Sequence, residues 1–402
     1  MLVDLHVLAR DGYLNDGDVA SVIRDVPEEE LGPEVERRIG FLLDGDCAWM
    51  AGAGDIDAAA RAMLAQARAV DKLLYEQPDF GLSKVFEVGD HLVLAVPLPW
   101  APAGDEVVDT RSIDRRGFPR RAILFHRIVP ARVFGYRVAP TIMPLIGSPE
   151  TIGAGLFQGL SVEVRYVPEP PSFVVDRVDC ADHADQALAH LERAGAAGCD
   201  LLVWPELTIP PEVLDRVRDA VKWADPGAAP KLTVAGSWHQ DPGPDDRVHN
   251  VCSVVDGHGD IVLMYRKKKA FEKRAEDGTL ALKEHLRRDD EKTLPLIICG
   301  DRVVALAICR DFCDIGLWEG PLLGDLMADL VVVPSMGDED TYEAHCRQAD
   351  EMAVQNRTRS FVVQYPDTLR DDGTFGWVVD RNGSGRTGPV RETFAVFPPK
   401  RT

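Results

Sequence analysis

The sequence predicts an α/β protein in which β-sheets form the inner layers and helices the outer ones, preceded by a separate N-terminal α+β unit. From about residue 160, short apolar strands alternate with amphipathic helices, which is typical of a layered α/β fold. Before about residue 155, the chain begins with an acidic, irregularly patterned stretch. With 402 residues and 45% apolar content, the chain can form two or three domains. We therefore divide it into residues 1–155 and residues 160–395.

Composition and charge exclude several classes of function. The formal net charge of -21 argues against broad binding to nucleic acid or anionic lipid, because both favour a positive field. No apolar run approaches the roughly 18 residues of a membrane span, and acids stand where a secretory signal has basic residues. The eight cysteines are scattered, which indicates reduced thiols. We expect a cytoplasmic protein without membrane or nucleic-acid partners.

The N-terminal unit contains one clear helix and one clear strand. Apolar residues recur at intervals of three and four from Ile56 to Leu74, the spacing of one buried helix face. The segment "HLVLAVPLP" at 91–99 is typical of a buried strand interrupted by prolines. The unit holds no catalytic motif that we recognise, so its role is open: regulation, targeting or binding of a partner.

Residues 111–137 are unusually rich in arginine. Only one acid, Asp114, lies among the eight arginines, which are Arg111, Arg115, Arg116, Arg120, Arg121, Arg127, Arg132 and Arg137. Guanidinium groups bind oxyanions with two parallel hydrogen bonds, so the stretch is a candidate site for an acidic ligand or a protein partner. The alternative is that these charges neutralise the acidic surface elsewhere on the chain or across a subunit contact.

The second unit begins with a predicted strand at 161–167 and a helix whose apolar face runs from Ala184 to Ala194. A further strand, "DLLVWPEL", follows at 200–207. Six more apolar segments are predicted strands: 232–238, 250–256, 261–267, 302–309, 329–335 and 360–365. Since loops at strand ends commonly carry function, reactive side chains at these positions are the first to consider.

Three reactive side chains, Glu206, Lys267 and Cys309, stand at or next to the ends of apolar strands. Taken singly, each has an ordinary explanation: an exposed acid, a solvated basic loop and a small buried packing residue. Together they supply a base for a thiol proton, a cation for an oxyanion and a nucleophile. A partly buried Glu206 would also have a raised pKa and accept a proton near neutral pH. The combination predicts covalent catalysis by Cys309.

A metal site at "CRDFC" is the competing interpretation of the same cysteine. Cys309 and Cys313 are spaced by three residues, but no second pair and no nearby histidine completes a tetrahedral set. We therefore predict neither a metal nor a cofactor.

The order of these motifs resembles that of the nitrilase, or carbon–nitrogen hydrolase, superfamily. "DLLVWPEL" resembles its glutamate motif, "NVCSVVDGHGDIVLMYRK" its lysine segment and "ALAICRDF" its cysteine elbow. Downstream, "ADLVVVPS", "MAVQNRTRSFVVQY" and "GWVVDRNGSG" are similar to later parts of the same family. The resemblance covers about residues 160–395.

This resemblance implies a fold, a fourth site residue and a mechanism. The implied fold is a four-layer α-β-β-α sandwich, often paired into a homodimer or higher homo-oligomer. The family's second glutamate corresponds best to Glu284 in "LKEHL", with Glu276 and Glu291 as alternatives in a connection that we expect to be loop-like. Glu206 would deprotonate Cys309, and Lys267 with the backbone N–H of Arg310 would hold the oxyanion.

The departures from the family pattern bear on the substrate. Relatives that act on nitriles tend to have tryptophan and glutamate after the nucleophile, whereas this chain has Arg310 and Asp311, so an amide or carbamoyl substrate is favoured. The leading hypothesis is an amidohydrolase that forms a cysteine thioester. The alternatives are an acyltransferase that uses the same thioester, and a non-catalytic scaffold or effector regulated by the N-terminal unit.

Overall fold

The structure is a computed structural model. It describes residues 1–15, 19, 21, 26–44, 55–76, 85–95, 123–133, 135–143, 147, 149–167, 171–225, 227–243, 245–275, 277–287, 292–300, 302–313, 326, 328–356, 358–368, 370–382 and 387–398. These residues form a mixed α/β protein with four sheets. Among them, no helix combines the length and the apolar character that crossing a membrane requires.

In the N-terminal region, the described residues include three helices of assigned bounds and a small antiparallel sheet. The helices are α1 (Leu2–Asn15), α2 (Glu28–Leu43) and α3 (Ile56–Glu76), and the strands are β1 (Val85–Val88), β2 (His91–Ala95) and β3 (His126–Pro130). The predicted helix is confirmed by α3, which buries Ala60, Leu64 and Ala67 while Ile56 is exposed. Leu64 and Ala67 of this face pack with Leu31 of α2 in a second apolar cluster.

A seven-stranded sheet carries two of the predicted site residues. In spatial order its strands are β11 (Trp238–Gln240), β12 (His249–Asp256), β10 (Leu232–Val234), β9 (Leu201–Val203), β6 (Ile152–Gly155) and β22 (Phe394–Phe397), with β13 (Ile261–Arg266) paired to β12. The neighbours β6, β9 and β10 are parallel. Helix α4 (His183–Ala196) lies against β6, β9 and β22, and α5 (Pro211–Lys222) lies against α4.

An eight-stranded sheet carries the cysteine. Its spatial order is β21 (Gly388–Val390), β20 (Gly376–Arg381), β19 (Arg359–Tyr365), β18 (Leu330–Met336), β17 (Arg302–Leu306), β16 (Thr293–Cys299), β5 (Tyr136–Met143) and β4 (Arg132–Val133). A four-residue helix, α6 (Arg310–Cys313), follows the cysteine, and α7 (Glu339–Asn356) lies against β19 and β20. Strand β13 touches β16, so the two large sheets meet.

A four-stranded sheet completes the second region. Its order is β14 (Glu272–Arg274), β15 (Leu280–Glu284), β8 (Ser172–Asp179) and β7 (Ser161–Val167). The strand predicted at 161–167 is confirmed by β7. The loop-like connection predicted after Lys267 is wrong, because the chain there forms β14 and β15.

Several predicted strands are shorter in the structure, for identifiable reasons. The strand predicted at 200–207 ends at Val203, because Pro205 and the left-handed Leu207 (φ 57°) turn the chain. The strand predicted at 302–309 ends at Leu306, three residues before Cys309. The segment 232–238 divides into β10 and β11 around Gly236, whose φ is 52°.

The division of the chain near residue 155 stays a prediction. Strands β4 and β5 nevertheless pair within the eight-stranded sheet, and β6 pairs within the seven-stranded sheet. Residues 132–143 and 152–155 therefore contribute to the sheets that carry the candidate site, although the sequence pattern places them in the N-terminal unit.

Candidate active site

The candidate site lies where three sheets meet, and each sheet contributes to it. Glu206 follows β9 and Lys267 follows β13, both of the seven-stranded sheet. Cys309 follows β17 of the eight-stranded sheet, and Glu284 is the last residue of β15 in the four-stranded sheet. The structure therefore brings together all four side chains that the sequence singled out.

The turn that presents Glu206 is fixed by backbone contacts on both sides. The Glu206 N–H donates to the Ser335 carbonyl of the eight-stranded sheet over 3.3 Å, and one carboxylate oxygen (Oε2) accepts from the Met336 N–H over 3.2 Å. On the other side, a Cβ at Gly236 would lie 2.3 Å from the Pro205 carbonyl oxygen. Only glycine fits that close approach and the positive φ.

Lys267 binds two carboxylates at once. Its Nζ lies 2.6 Å from Glu206 Oε1 and 2.7 Å from Glu284 Oε2, and all three side chains are almost completely buried. Two carboxylates around one ammonium would leave a net negative charge if all were ionised. Because burial makes such an imbalance costly, protons and hydrogen bonds in this cluster must compensate it.

Glu284 accepts four hydrogen bonds. Its Oε2 receives Lys267 Nζ and the Phe271 N–H, the latter over 3.0 Å. Its Oε1 receives Asn250 Nδ2 over 2.8 Å and faces His239 Nε2 at 2.9 Å. A carboxylate with every side occupied has one orientation only. Asn250 Nδ2 also donates to Glu206 Oε1 over 2.9 Å, so the amide bridges the two acids.

Cys309 occupies a strained position at the floor of the site. Its φ is 45°, a left-handed conformation that costs a non-glycine residue free energy and that occurs often at functional sites. The backbone N–H is held by the Pro334 carbonyl over 2.9 Å, and the thiol points to the Met336 carbonyl at 3.6 Å. The side chain is buried, with 2% of its surface exposed. The thiol therefore faces the cavity and has little contact with bulk solvent.

The electrostatics of the cluster favour a neutral thiol beside a proton acceptor. Burial and the nearby Glu206 raise the pKa of Cys309 well above its ordinary value. Burial also raises the pKa of Glu206, against the opposing effect of Lys267. For Glu284, burial would raise the pKa, but Lys267 and the His239 hydrogen bond outweigh it, and the pKa is lowered. The two acids thus differ: the pKa of Glu206 is raised, and the pKa of Glu284 is lowered.

Asp311 ties the cysteine turn to the lysine loop. Its buried carboxylate accepts the Tyr265 hydroxyl over 2.9 Å and the backbone N–H groups of Lys268 and Lys269 over 2.9 Å and 2.8 Å. Burial raises the pKa of Asp311 to about 6, with these donors opposing the rise. Since Lys268 directly follows Lys267, Asp311 fixes the distance between the ammonium and the helix after Cys309.

A cavity of about 570 Å³ opens onto Cys309, Glu206, Lys267 and Glu284. The four-stranded sheet supplies much of its apolar wall, through Val162, Val164, Tyr166, Phe173, Val175 and Leu282. The cavity is also lined by three aspartates: Asp340 of α7, Asp338 directly before that helix, and Asp367 after β19. A volume of this size fits a small organic molecule.

The sequence did not predict a role in the site for three residues: Asn250, His239 and Asp311. Asn250 opens the quoted lysine segment, so its position in the motif was a usable signal. His239 carried none, because a histidine one residue after an apolar strand is usually a packing residue. Asp311 was considered only for substrate choice, and its hydrogen bonds depend on a distant loop.

Some of the remaining predicted residues lie within the described residues, and others do not. Arg310 begins α6 directly after Cys309, where its backbone N–H was expected, and its guanidinium donates to the Ala270 carbonyl over 3.1 Å. Glu276 and Glu291, the alternatives to Glu284, lie outside the described residues, as do Arg111 to Arg121 of the arginine-rich stretch. Among the residues that the structure describes, no group of three or more metal-binding side chains is present.

Solved structures similar to this chain include amidases. An amidase from Nesterenkonia sp. aligns at 18% identity and a TM-score of 0.42 over 63% of this chain and 93% of its own. A mutant of the Nesterenkonia sp. AN1 amidase, with the acetamide moiety of fluoroacetamide added covalently at its active-site cysteine, aligns with the same values. Another mutant of this amidase, described as a member of the nitrilase superfamily, aligns at a TM-score of 0.42 over 64% of this chain. No protein-family model and no curated protein matches the sequence.

Proposed function

We propose that the chain is a carbon–nitrogen hydrolase that cleaves an amide or carbamoyl substrate through a thioester on Cys309. The observation that carries the proposal is the convergence of Cys309, Glu206 and Lys267 on one cavity. A buried lysine clamped by two carboxylates is expensive to maintain, and a strained cysteine beside it adds to the cost. A binding module would need neither, so this geometry favours an enzyme over a scaffold or effector.

The first step is attack by the thiol. Cys309 is neutral before reaction because its pKa is raised, so a base must take the proton as the carbon–sulfur bond forms. Glu206 is the proposed base, since it lines the same cavity as Cys309 and its contacts with Met336 and Asn250 fix the carboxylate in place. The sulfur bonds to the carbonyl carbon, and the carbonyl electron pair moves to the oxygen.

The oxyanion formed in this step requires hydrogen-bond donors. Lys267 directs two N–H bonds to Glu206 and Glu284, which leaves the third for the oxyanion. The backbone N–H of Arg310, which directly follows the nucleophile, is the second proposed donor. Preorganised donors in a buried site contribute strongly to catalysis, on the order of 10²–10³ in rate for one donor.

Collapse of the tetrahedral intermediate releases the nitrogen. Glu206 returns its proton to the leaving nitrogen, so ammonia or an amine departs and the acyl group remains on the sulfur. Glu206 then accepts a proton from water, whose oxygen attacks the thioester carbon. The acid product leaves with the new oxygen, and the thiol recovers its proton.

An acyltransferase would share every step up to the thioester. In that case an amine in the cavity would attack the thioester carbon in place of water. The cavity of about 570 Å³ has room for an acyl group and a second small molecule, so the alternative is retained.

We also propose a fold, a cellular location and an oligomeric state for the protein. Helices against both large sheets, with the sheets meeting at β13 and β16, support the four-layer α-β-β-α sandwich. The separate N-terminal α+β unit stays a prediction. A cytoplasmic location stays a prediction. A homo-oligomeric assembly, and a partner or acidic ligand for residues 111–137, remain predictions.

Steady-state kinetics on a panel of small amides and carbamoyl compounds tests the proposal. Wild type should release ammonia or amine, and Cys309→Ala and Glu206→Gln should be inactive. Cys313→Ala, which removes the neighbouring thiol of α6, is the matched control and should keep activity. Added hydroxylamine would divert product to a hydroxamate if an amine can intercept the thioester. Turnover by Cys309→Ala equal to that of wild type would contradict the proposal.

A further inference from the structure

His239 contacts the candidate site through its hydrogen bond to Glu284. It is in β11 directly opposite Asn250 of the neighbouring strand β12, and both side chains reach the same oxygen of Glu284. The next position across the sheet is Lys267, whose N–H bonds the Asn250 carbonyl over 2.8 Å. His239 of β11, Asn250 of β12 and Lys267, which directly follows β13, thus form a row, and Glu284 contacts all three.

The hydrogen-bond partners define which ring nitrogen of His239 carries a proton. The Val175 N–H donates to Nδ1 over 2.8 Å, so Nδ1 must be an acceptor. A neutral imidazole with an accepting Nδ1 carries its proton on Nε2. Nε2 therefore donates to Glu284 Oε1 over 2.9 Å. A ring with protons on both nitrogens would point one N–H at another, so the backbone of β8 selects the tautomer.

The contact with Glu284 has a consequence for Lys267. With Oε1 occupied by His239 and Asn250, the carboxylate cannot rotate without breaking two buried hydrogen bonds. Its Oε2 is therefore held toward Lys267 Nζ. Because Glu206 binds the same ammonium from the other side, the position of Nζ depends on both acids, and the orientation of one of them depends on His239.

We propose that His239 is a positioning residue that orients Glu284 and thereby places the Lys267 ammonium for the oxyanion. The kinetic consequences of this role rest on the proposed function. The geometry also restricts it to one nitrogen: Nε2 serves the site, and Nδ1 serves the fold through Val175. That separation makes the two contributions distinguishable by substitution.

Two substitutions divide the ring into its halves. His239→Gln carries an amide N–H near the position of Nε2 and loses the acceptor for Val175. His239→Asn keeps an acceptor near Nδ1 and loses the donor for Glu284. Displacement of the ammonium by about 1 Å would lower kcat about 10²-fold with little change in KM. We expect that loss of kcat for His239→Asn. For His239→Gln we expect kcat to fall within about fivefold, because a smaller displacement of the ammonium causes a fraction of the same loss.

A second measurement does not depend on turnover. The rate of Cys309 alkylation by iodoacetamide, followed by mass spectrometry of the modified peptide, reports on the cluster in the free protein. It should fall in His239→Asn and recover in His239→Gln. If no amide is hydrolysed by wild type but this pattern holds, the proposed function fails and the positioning role stands.

The opposite pattern would overturn the inference. Damage in His239→Gln with an intact His239→Asn would assign the ring to the Val175 contact alone. Equal losses in both variants, or none in either, would also contradict it. Should His239→Gln fail to fold, a double-mutant cycle decides instead: His239→Asn should have no further effect on alkylation in a Glu284→Gln background, and additive effects would refute the coupling.

Discussion

Both regions of the molecule bury charged groups, but they use them differently. In the N-terminal region, Asp71 is fully buried and accepts the backbone N–H groups of Leu124 and Phe125 and the ring of His126, over 2.6 to 2.9 Å. These donors are adjacent in sequence and stand at the start of β3. The acid therefore fixes the path of one strand onto one helix.

The cluster around Lys267 differs in what its charges face. Its four side chains come from three sheets, they line a cavity, and a strained cysteine is among them. A buried charged group therefore does not by itself indicate a catalytic site. Burial next to a cavity and a nucleophile is the informative combination, and the following predictions test that distinction.

Lys267→Met should give the largest effect. Two buried carboxylates would lose their common cation, which we expect to cost about 3–5 kcal/mol of stability. Loss of the proposed oxyanion donor should lower kcat by about 10³-fold. Lys231→Met, which removes the partner of Asp200 at the surface, is the control for both measurements. A normal kcat in Lys267→Met would contradict a catalytic role for the Lys267 cluster and leave it, like the Asp71 cluster, with a structural role.

Asp71→Asn should show the reverse behaviour. One amide oxygen cannot replace a buried carboxylate that accepts three donors, so the free energy of unfolding should fall by about 2–4 kcal/mol. The kcat of the folded enzyme should be unchanged. Urea denaturation and active-site-normalised kinetics measure the two quantities. A fall in kcat at constant stability would indicate that the N-terminal pair acts on the site.

The pH dependence of kcat/KM should reveal the raised pKa of Glu206. Burial raises this pKa above its ordinary value of 4.5, and the acid is a base only when deprotonated. Activity should therefore be present above the raised pKa and fall about tenfold per pH unit below it. An acid limb at or below 4.5, with stability unchanged, would contradict Glu206 as the base.

The charge of the substrate should have the smallest effect. The cavity is lined by six carboxylates, Glu206, Glu272, Glu284, Asp338, Asp340 and Asp367, and by the two lysines Lys267 and Lys273. An anionic amide such as glutaramate should react with a kcat/KM about tenfold below that of valeramide, and salt should narrow the gap. Asp367→Asn should narrow it as well. Preference for the anion would contradict this view of the cavity.

The sequence predicted ten of the 22 strands that the structure describes and the four side chains that meet at the cavity. These predictions were possible because short apolar runs indicate strands, and because reactive residues at the ends of these runs stood out against them. It placed Glu284 in a loop, since "LALKE" lies among polar residues that gave no clear strand signal. The true environment of this acid depends on β15 pairing with β8, a contact between distant parts of the chain.

Contacts of the same long range explain the other differences. His239 and Asn250 are neighbours only because β11 and β12 pair, and Asp311 bonds a loop more than 40 residues away. Residues 132–143 were assigned to the N-terminal unit, whereas β5 pairs in parallel with β16. Periodicity indicates which face of a strand is buried, but it carries no information about the partner strand.

Intact-mass measurement of the protein during turnover tests the central claim most directly. Wild type mixed with a slowly hydrolysed amide and quenched in acid should gain the mass of the acyl group, located at Cys309 by peptide mapping. Cys309→Ala should gain none, and Cys313→Ala should gain the same mass as wild type. Turnover without any adduct at Cys309, or an adduct that persists in Cys309→Ala, would contradict a thioester mechanism at this site.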